Sequence, residues 1–311
     1  MAAICCCLWG SAFPIIKIGY KLFNIDSSDT ASIILFAGIR FILSGVLTVA
    51  IFSALNKKFV KPKKTSVSKV CVLALFQTVL QYLFFYIGLA HTTGVKSSII
   101  DGSSTFFAII ISVFIFKQEK FTVSKIIGSL LGFSGVALAG LSGSRQGLSF
   151  QFGDIMLLIS AISYACSSVF MKKYSNDDEP AVLSGYQFML GGAVMTVVGL
   201  LMGGKVSTNE IKGVLVLLYL GFISAIAYSL WGVLLKYNDV SRVTVCGSMT
   251  PIFGFALSYL LLGEDNGKLV YKLIGLLCVV GGMVIVNLNF NKNKKEIVVN
   301  HSDFSLFYKY F

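Results

Sequence analysis

An acidic side chain, Asp101, lies within a long apolar segment of the chain. It sits between Ser97 and Thr105 in residues 94–116, and the three recur at i, i+4 and i+8. In a continuous helix this spacing predicts one polar face. A carboxylate in such a segment is costly to bury, so it usually faces a polar cavity or a partner. Asp101 could therefore bind a proton or a substrate amine. Alternatively, it lies near the outer end of this span and is either exposed to water or paired with Lys96.

A basic side chain occupies another apolar segment. Arg40 lies near the middle of residues 31–55. Its guanidinium could pair with Asp101, or it could bind a substrate carboxylate through two parallel hydrogen bonds. The alternatives are a structural pair between helices and a side chain that extends to the membrane surface.

Several apolar segments contain aromatic or amide side chains that carry polar atoms. Such rings could line a pocket for a zwitterion or an aromatic group, and helix packing is the alternative. This set comprises Trp9, Gln81, Tyr82, Tyr164, Tyr228 and Trp231. Pro14 and Pro251, which follows Thr250, are each expected to kink a helix. We therefore add Pro14 and Thr250 to the residues expected at a substrate site.

The composition determines the class of protein. Of the 311 residues, 56% are hydrophobic and 13% are charged. Soluble domains are about 45–50% apolar and about 25% charged. The apolar residues form blocks of about 20, which is the length of a membrane-spanning helix. We therefore expect an all-α membrane protein with almost no soluble domain.

Ten such blocks are present. Helices are expected because unpaired backbone groups are too costly in lipid. The predicted spans are residues 2–23, 31–55, 69–90, 94–116, 124–142, 153–173, 180–202, 212–235, 243–262 and 270–289.

The basic residues predict the orientation of these spans. The net charge is +12, and the larger group of lysine and arginine residues lies after the even-numbered spans and in the tail 290–311. Loops with more basic residues stay in the cytoplasm, so both termini are expected inside. Because these residues sit in short loops, we interpret them as topology signals, and no nucleic-acid partner is expected. The seven cysteines lack metal-ligand spacing, so neither a metal nor another cofactor is expected.

The two halves of the chain repeat each other. Ser103, Thr105 and Glu119 match Ser248, Thr250 and Glu264, each 145 residues later. A five-span unit begins and ends on opposite sides of the bilayer, so its second copy must enter inverted. Inverted repeats are typical of secondary transporters, with the substrate site between the halves. The predicted units are repeat 1–143, repeat 153–289 and a cytoplasmic tail 290–311.

These features together resemble the EamA-type branch of the drug/metabolite transporter superfamily over residues 1–289. The resemblance rests on LWGSAFPIIKIGY around Trp9, on FAGIRFILSG around Arg40, and on Glu119 with Gly128 and Gly135, repeated as Glu264, Gly275 and Gly282. The chain departs from that pattern because Thr105 precedes Phe106 where Thr250 precedes Pro251. In addition, Gln187 takes the place of Arg40 in span 7, and Cys246 that of Asp101 in span 9.

The resemblance implies a carrier of small polar metabolites and not an enzyme. We expect a plasma-membrane exporter that works by alternating access, with an amino acid as one candidate substrate and a proton as a candidate coupling ion. A homodimer is one option for its assembly. The alternatives are a nucleotide-sugar or phosphate-ester exchanger, which needs a basic cavity, a passive channel, and a lipid-handling membrane protein.

Overall fold

The computed structural model describes residues 1–117, 122–141, 151–208, 210–238, 240, 243, 246–247, 249–263 and 269–288. All of the regular secondary structure in these residues is helical. Glu119, Glu264, the tail 290–311 and residues 142–150, where the two predicted repeats meet, lie outside them.

Ten long helices have defined bounds in the described residues, some of them with local changes in winding. Their bounds are α1 Ala2–Leu22, α2 Thr30–Leu55, α3 Lys64–Ala90, α4 Gly94–Ile115, α5 Val123–Leu141, α6 Phe152–Tyr174, α7 Pro180–Leu201, α8 Ile211–Tyr237, α9 Met249–Leu262 and α10 Leu269–Leu288. A helix thus lies at each of the ten predicted spans.

Seven of these helices, α1–α4 and α6–α8, are long and apolar enough to cross a membrane. The other three contain shorter apolar stretches, Val123–Gly135, Met249–Leu262 and Leu273–Val286. An internal hydrogen-bond ladder satisfies the backbone of each helix, as a lipid environment requires. That all ten helices cross, with the second half inverted, stays a prediction.

Two helices depart from regular α-helical geometry next to residues that were predicted at the substrate site. In α3 a π-helical segment, Ala74–Leu80, directly precedes Gln81. In α4 the α-helix Gly94–Asp101 ends at a turn, and a new α-helix begins at Ser104. π-helical segments occur often at functional sites. The continuous helix assumed for the spacing of Ser97, Asp101 and Thr105 is therefore wrong, since α4 is interrupted directly after Asp101.

Glycines bring helices of the two halves into backbone contact. A Cβ on Gly38 of α2 would lie 2.9 Å from the carbonyl oxygen of Gly192 in α7. A Cβ on Gly128 of α5 would lie 2.4 Å from the carbonyl oxygen of Gly282 in α10. Small residues allow such close approach between helices in membranes. These contacts hold α2 on α7 and α5 on α10 within one chain.

The remaining helices surround the centre of the molecule. Helix α1 packs on α8 and α9, helix α3 packs on α6, and the first part of α4 packs on both α9 and α6. Their facing side chains form a core rich in aromatic rings, including Phe13, Tyr86 and Tyr228. This arrangement places residues from both halves around one central space.

Candidate functional site

One cavity of about 70 Å³ lies among these central helices. Ten of the twelve residues predicted from the sequence line it. They are Trp9, Arg40, Gln81, Tyr82, Asp101, Thr105, Tyr164, Tyr228, Trp231 and Thr250. Because they come from both halves of the chain, the cavity lies where the sequence predicts a transport site. Their role in transport stays a prediction.

Arg40 is held in this cavity by neutral partners. Its Nε donates to the carbonyl oxygen of Leu220 at 3.2 Å, and one Nη donates to the Ser224 hydroxyl at 2.7 Å. The other Nη donates to the hydroxyl of Tyr86. The guanidinium also lies 4.8 Å from the ring centroid of Phe41, within cation–π range.

Arg40 has no carboxylate partner among the described residues. In particular it makes no ion pair with Asp101, so the pairing suggested from the sequence is wrong. Three of its five N–H groups are used, which leaves one N–H on each Nη. The side chain can therefore offer two further donors to a negatively charged group.

Four aromatic rings from three helices, α1, α6 and α8, meet beside Asp101. The ring centroid of Trp9 lies 4.8 Å from that of Trp231 and 5.0 Å from that of Tyr228. Tyr164 stands edge-on to Trp9 at 6.4 Å. We call Trp9, Tyr164, Tyr228 and Trp231 the aromatic cluster. Ring faces of this kind attract cations, so the cluster suits a protonated amine.

Hydrogen bonds fix part of this wall. The hydroxyl groups of Tyr82 and Tyr228 are hydrogen-bonded to each other, and Gln81 Nε2 donates to the Tyr228 hydroxyl at 3.3 Å. Three buried polar atoms on these side chains have no partner among the described residues: the indole nitrogens of Trp9 and Trp231 and Oε1 of Gln81. Buried polar groups are normally satisfied, so these atoms are available to a polar ligand or to water.

Asp101 is a carboxylate of the cavity without a direct partner in the described structure. It lies within electrostatic range of Tyr164 and Tyr228, and it forms no ion pair with Lys96. A partly buried carboxylate that no cation neutralises can bind either a proton or a cationic group from a ligand. The pairing of Asp101 with Lys96, which was one alternative from the sequence, is not present, because Lys96 pairs with Asp154.

Two predicted residues lie elsewhere. Ser97 is buried, and its hydroxyl donates to the carbonyl oxygen of Thr93 at 2.8 Å. Pro14 is buried within α1, which continues as an α-helix on both sides of it. Pro251 does line the cavity, but it lies in the first turn of α9, where its missing N–H costs no hydrogen bond.

The sequence reasoning missed the actual partner of Lys96. Its Nζ lies 2.7 Å from Oδ2 of Asp154, near the start of α6. Asp154 is also at the N3 position of a capping box whose N-cap is Gln151. An acid three residues after a helix start is the usual capping signal, and it could have drawn attention to Asp154. Its pairing with Lys96 could not be read from the sequence.

Relatives and solved structures agree with this fold. A probable amino-acid metabolite efflux pump of Salmonella typhimurium is 27% identical over 303 residues, covering 92% of this chain and 93% of that protein. The protein of the same name in Escherichia coli matches to the same extent. An uncharacterized transporter of Acidianus ambivalens is 27% identical, covering 85% of this chain and 97% of its own.

A crystal structure with 16% sequence identity matches with a TM-score of 0.68 and covers 92% of this chain and 95% of its own. At this identity the match supports the fold alone.

The profile of the EamA-like transporter family matches residues 1–141 and 151–288. The match therefore includes both halves of the chain. Together with the apolar helices, it indicates a multi-pass membrane protein and a transporter rather than an enzyme. The chain belongs to the EamA-like transporter family.

Proposed function

We propose that this transporter exports a small polar metabolite, with amino acids as the first candidates, across the plasma membrane. It works by alternating access between two inverted five-helix repeats, with both termini in the cytoplasm. The observation that carries this proposal is the central cavity, where, among the described residues, the Asp101 carboxylate is unpaired and the Arg40 guanidinium is bonded only to neutral groups. Two separated charges of opposite sign suit a zwitterion.

The two charged side chains of the cavity match the two charged groups of an amino acid. The two remaining N–H groups of Arg40 suit a substrate carboxylate, because a guanidinium can donate two parallel hydrogen bonds. Asp101 and the aromatic cluster suit the ammonium group. When no substrate is bound, Asp101 takes up a proton, which exchanges for the substrate during the cycle. The names of the relatives from Salmonella typhimurium and Escherichia coli support amino-acid metabolites as the class to test.

The rival carrier is less well supported by the cavity. A phosphate-ester or nucleotide-sugar exchanger needs several basic groups to neutralise its substrate. Among the described residues that line the cavity, Arg40 is the only lysine or arginine, and Asp101 adds an opposing charge.

The test is transport by the purified protein in liposomes loaded with labelled amino acids, with and without a proton gradient. Wild type is compared with Asp101→Asn and with Asp26→Asn. Asp26 is a matched control because it is exposed, in the loop between α1 and α2. We expect saturable counterflow in wild type and in Asp26→Asn, and loss of proton dependence or of counterflow in Asp101→Asn.

Unchanged transport and proton response in Asp101→Asn would remove Asp101 from the cycle. Absence of counterflow with every amino acid in wild type would contradict the proposed substrate class. Flux that never saturates would indicate a channel.

A further inference from the structure

The two halves of the chain are joined by a buried ion pair near one end of the central cavity. Lys96 belongs to α4 and Asp154 to α6, and their side chains are 4% and 0% exposed. Asp154 also accepts a hydrogen bond from the backbone N–H of Gln151 at 2.8 Å. The ion pair therefore fixes the start of α6 to the start of α4.

This pair lies close to the cavity. Lys96 precedes Asp101 by five residues on the same α-helix, and a helix rises about 1.5 Å per residue, so the two lie roughly 7.5 Å apart along its axis. Beside the pair, a Cβ on Gly153 would lie 2.8 Å from the carbonyl oxygen of Gly88. Helices α3, α4 and α6 thus close this end of the molecule together.

The opposite ends of α3 and α6 are also tied by charges. Lys69, near the start of α3, lies 2.9 Å from Asp177 and 2.8 Å from Asp178, which follow α6. Ser66 donates to Asp178 at 2.6 Å. Because Lys69 and Lys96 flank opposite ends of α3, we call these contacts the Lys96 end and the Lys69 end.

In this structure the cavity is too small to hold a substrate. Its volume of about 70 Å³ is far below the roughly 300–1,000 Å³ of ligand pockets. A carrier must open one end at a time, so one set of these contacts has to separate in each half of the cycle.

The chemistry of the Lys96 end suits a contact that opens. A buried ion pair is weak evidence for stability, because apolar side chains of similar size often stabilise a fold equally well. An ion pair differs from an apolar contact in how it separates. When water enters an opening cavity, both charges regain hydration, which offsets the loss of their mutual attraction.

We propose that Lys96 and Asp154 form the gate at one end of the transport cavity. Substrate passes this end only after the pair has separated, and the orientation predicted from the basic residues makes this the extracellular gate. The gate rests on the proposed function insofar as it assumes an alternating-access carrier. It adds two residues that do not line the cavity and that act by setting which end is open.

The chain contains its own probe of this opening. It has two tryptophans, Trp9 and Trp231, and both line the cavity. Quenching of their fluorescence by iodide therefore measures access of water to the cavity, without label or substrate. The measurement uses purified full-length protein in liposomes of determined orientation, with iodide added to one side at a time.

The gate variant is Asp154→Asn, which leaves the buried Lys96 ammonium without its counter-charge, so that it regains a partner only when water enters at this end. The amide oxygen introduced at position 154 can still accept the Gln151 N–H. The matched control is Asp178→Asn at the Lys69 end, where Asp177 remains as a partner of Lys69. We expect the gate variant to increase quenching several-fold from the side that Lys96 faces and to leave the other side unchanged. The control variant is expected to show no increase from the side that Lys96 faces. K96R keeps the charge pair and should behave like wild type.

Three outcomes would overturn the gate. They are quenching like that of wild type from both sides in Asp154→Asn, an equal increase from both sides, and the same increase on the Lys96 side in the control variant. The first would leave a packing contact only, and the others would indicate general loosening. A one-sided increase without amino-acid transport in wild type would support the gate and contradict the proposed substrate, so the two failures can be distinguished.

Discussion

The Lys96 end joins α4 to α6, and the Lys69 end joins α3 to the segment that follows α6, by similar groups in different surroundings. At the Lys96 end one lysine meets one carboxylate, and both are shielded from water. At the Lys69 end a lysine that is 21% exposed meets two carboxylates, one of them 72% exposed. Removal of one partner should therefore cost more stability at the Lys96 end than at the Lys69 end, because water can replace a lost partner only where the ion pair is exposed.

The largest effect is expected when one partner of the buried pair is removed alone. Asp154→Asn leaves the Lys96 ammonium buried without a counter-charge, and this loss costs about 3–5 kcal/mol in comparable pairs. Thermal unfolding in detergent should show a large decrease in Tm compared with Asp26→Asn. A Tm equal to that of the control would mean that water reaches Lys96 and that the two ends do not differ.

The second prediction sharpens the comparison by removing both charges. In K96M/D154N no uncompensated charge remains, so most of the stability lost in Asp154→Asn should return. The double variant should unfold well above the single variant in the same assay. If K96M/D154N lost as much stability as Asp154→Asn or more, the cost would come from packing around the side chains and not from the unpaired charge.

A smaller effect is expected at the Lys69 end. In Lys69→Met the Asp178 carboxylate keeps the Ser66 hydroxyl, and Lys63 remains 3.9 Å away. Partly exposed ion pairs contribute about 1 kcal/mol or less. The Tm should therefore fall only slightly, and the difference from wild type should shrink at high salt because ions screen exposed charges. A decrease as large as that of Asp154→Asn would contradict the comparison.

The smallest effect is the pH dependence of Asp178. Burial raises its pKa, but hydrogen bonds from Lys69 and Ser66 outweigh burial and hold the pKa below its usual value. A lowered pKa means that the charged form stabilises the fold above the ordinary Asp value of about 3.9, and that this contribution is lost as the pH falls below it. The Tm of wild type should therefore approach that of Asp178→Asn on acidification. A gap that widens at low pH would reverse the sign.

The candidate site shows how far the sequence could lead. Asp101 and Arg40 were predicted because charges within apolar segments are costly and are kept for a reason. The residues of the aromatic cluster were predicted because they are tryptophan and tyrosine side chains within apolar segments. The cavity contains all of these residues, yet the predicted ion pair between Asp101 and Arg40 is absent, and so is that between Asp101 and Lys96. The type of a residue and its position within an apolar segment can be read from the local sequence. Its hydrogen-bond or ion-pair partner depends on which helices pack together.

The partners of these charges lie far away in the chain. Arg40 donates to Tyr86, Leu220 and Ser224, which lie 46, 180 and 184 residues later. Lys96 and Asp154 are separated by 58 residues. No periodicity within a helix specifies such pairs. The interruption of α4 after Asp101 was missed for a related reason, because the spacing of Ser97, Asp101 and Thr105 assumes a continuous helix.

The sequence by itself determined the apolar segments, the membrane class, the resemblance to the EamA-type family and most of the side chains around the cavity. These follow from hydrophobicity and charge, which act on each segment independently of the others. The tertiary structure alone decided that, within the described part of the chain, Arg40 is bonded to neutral groups, Asp101 is unpaired and Lys96 joins α4 to Asp154 of α6. Those outcomes depend on the approach of distant helices, since glycine contacts and ridge packing between the halves set which side chains come within hydrogen-bonding distance.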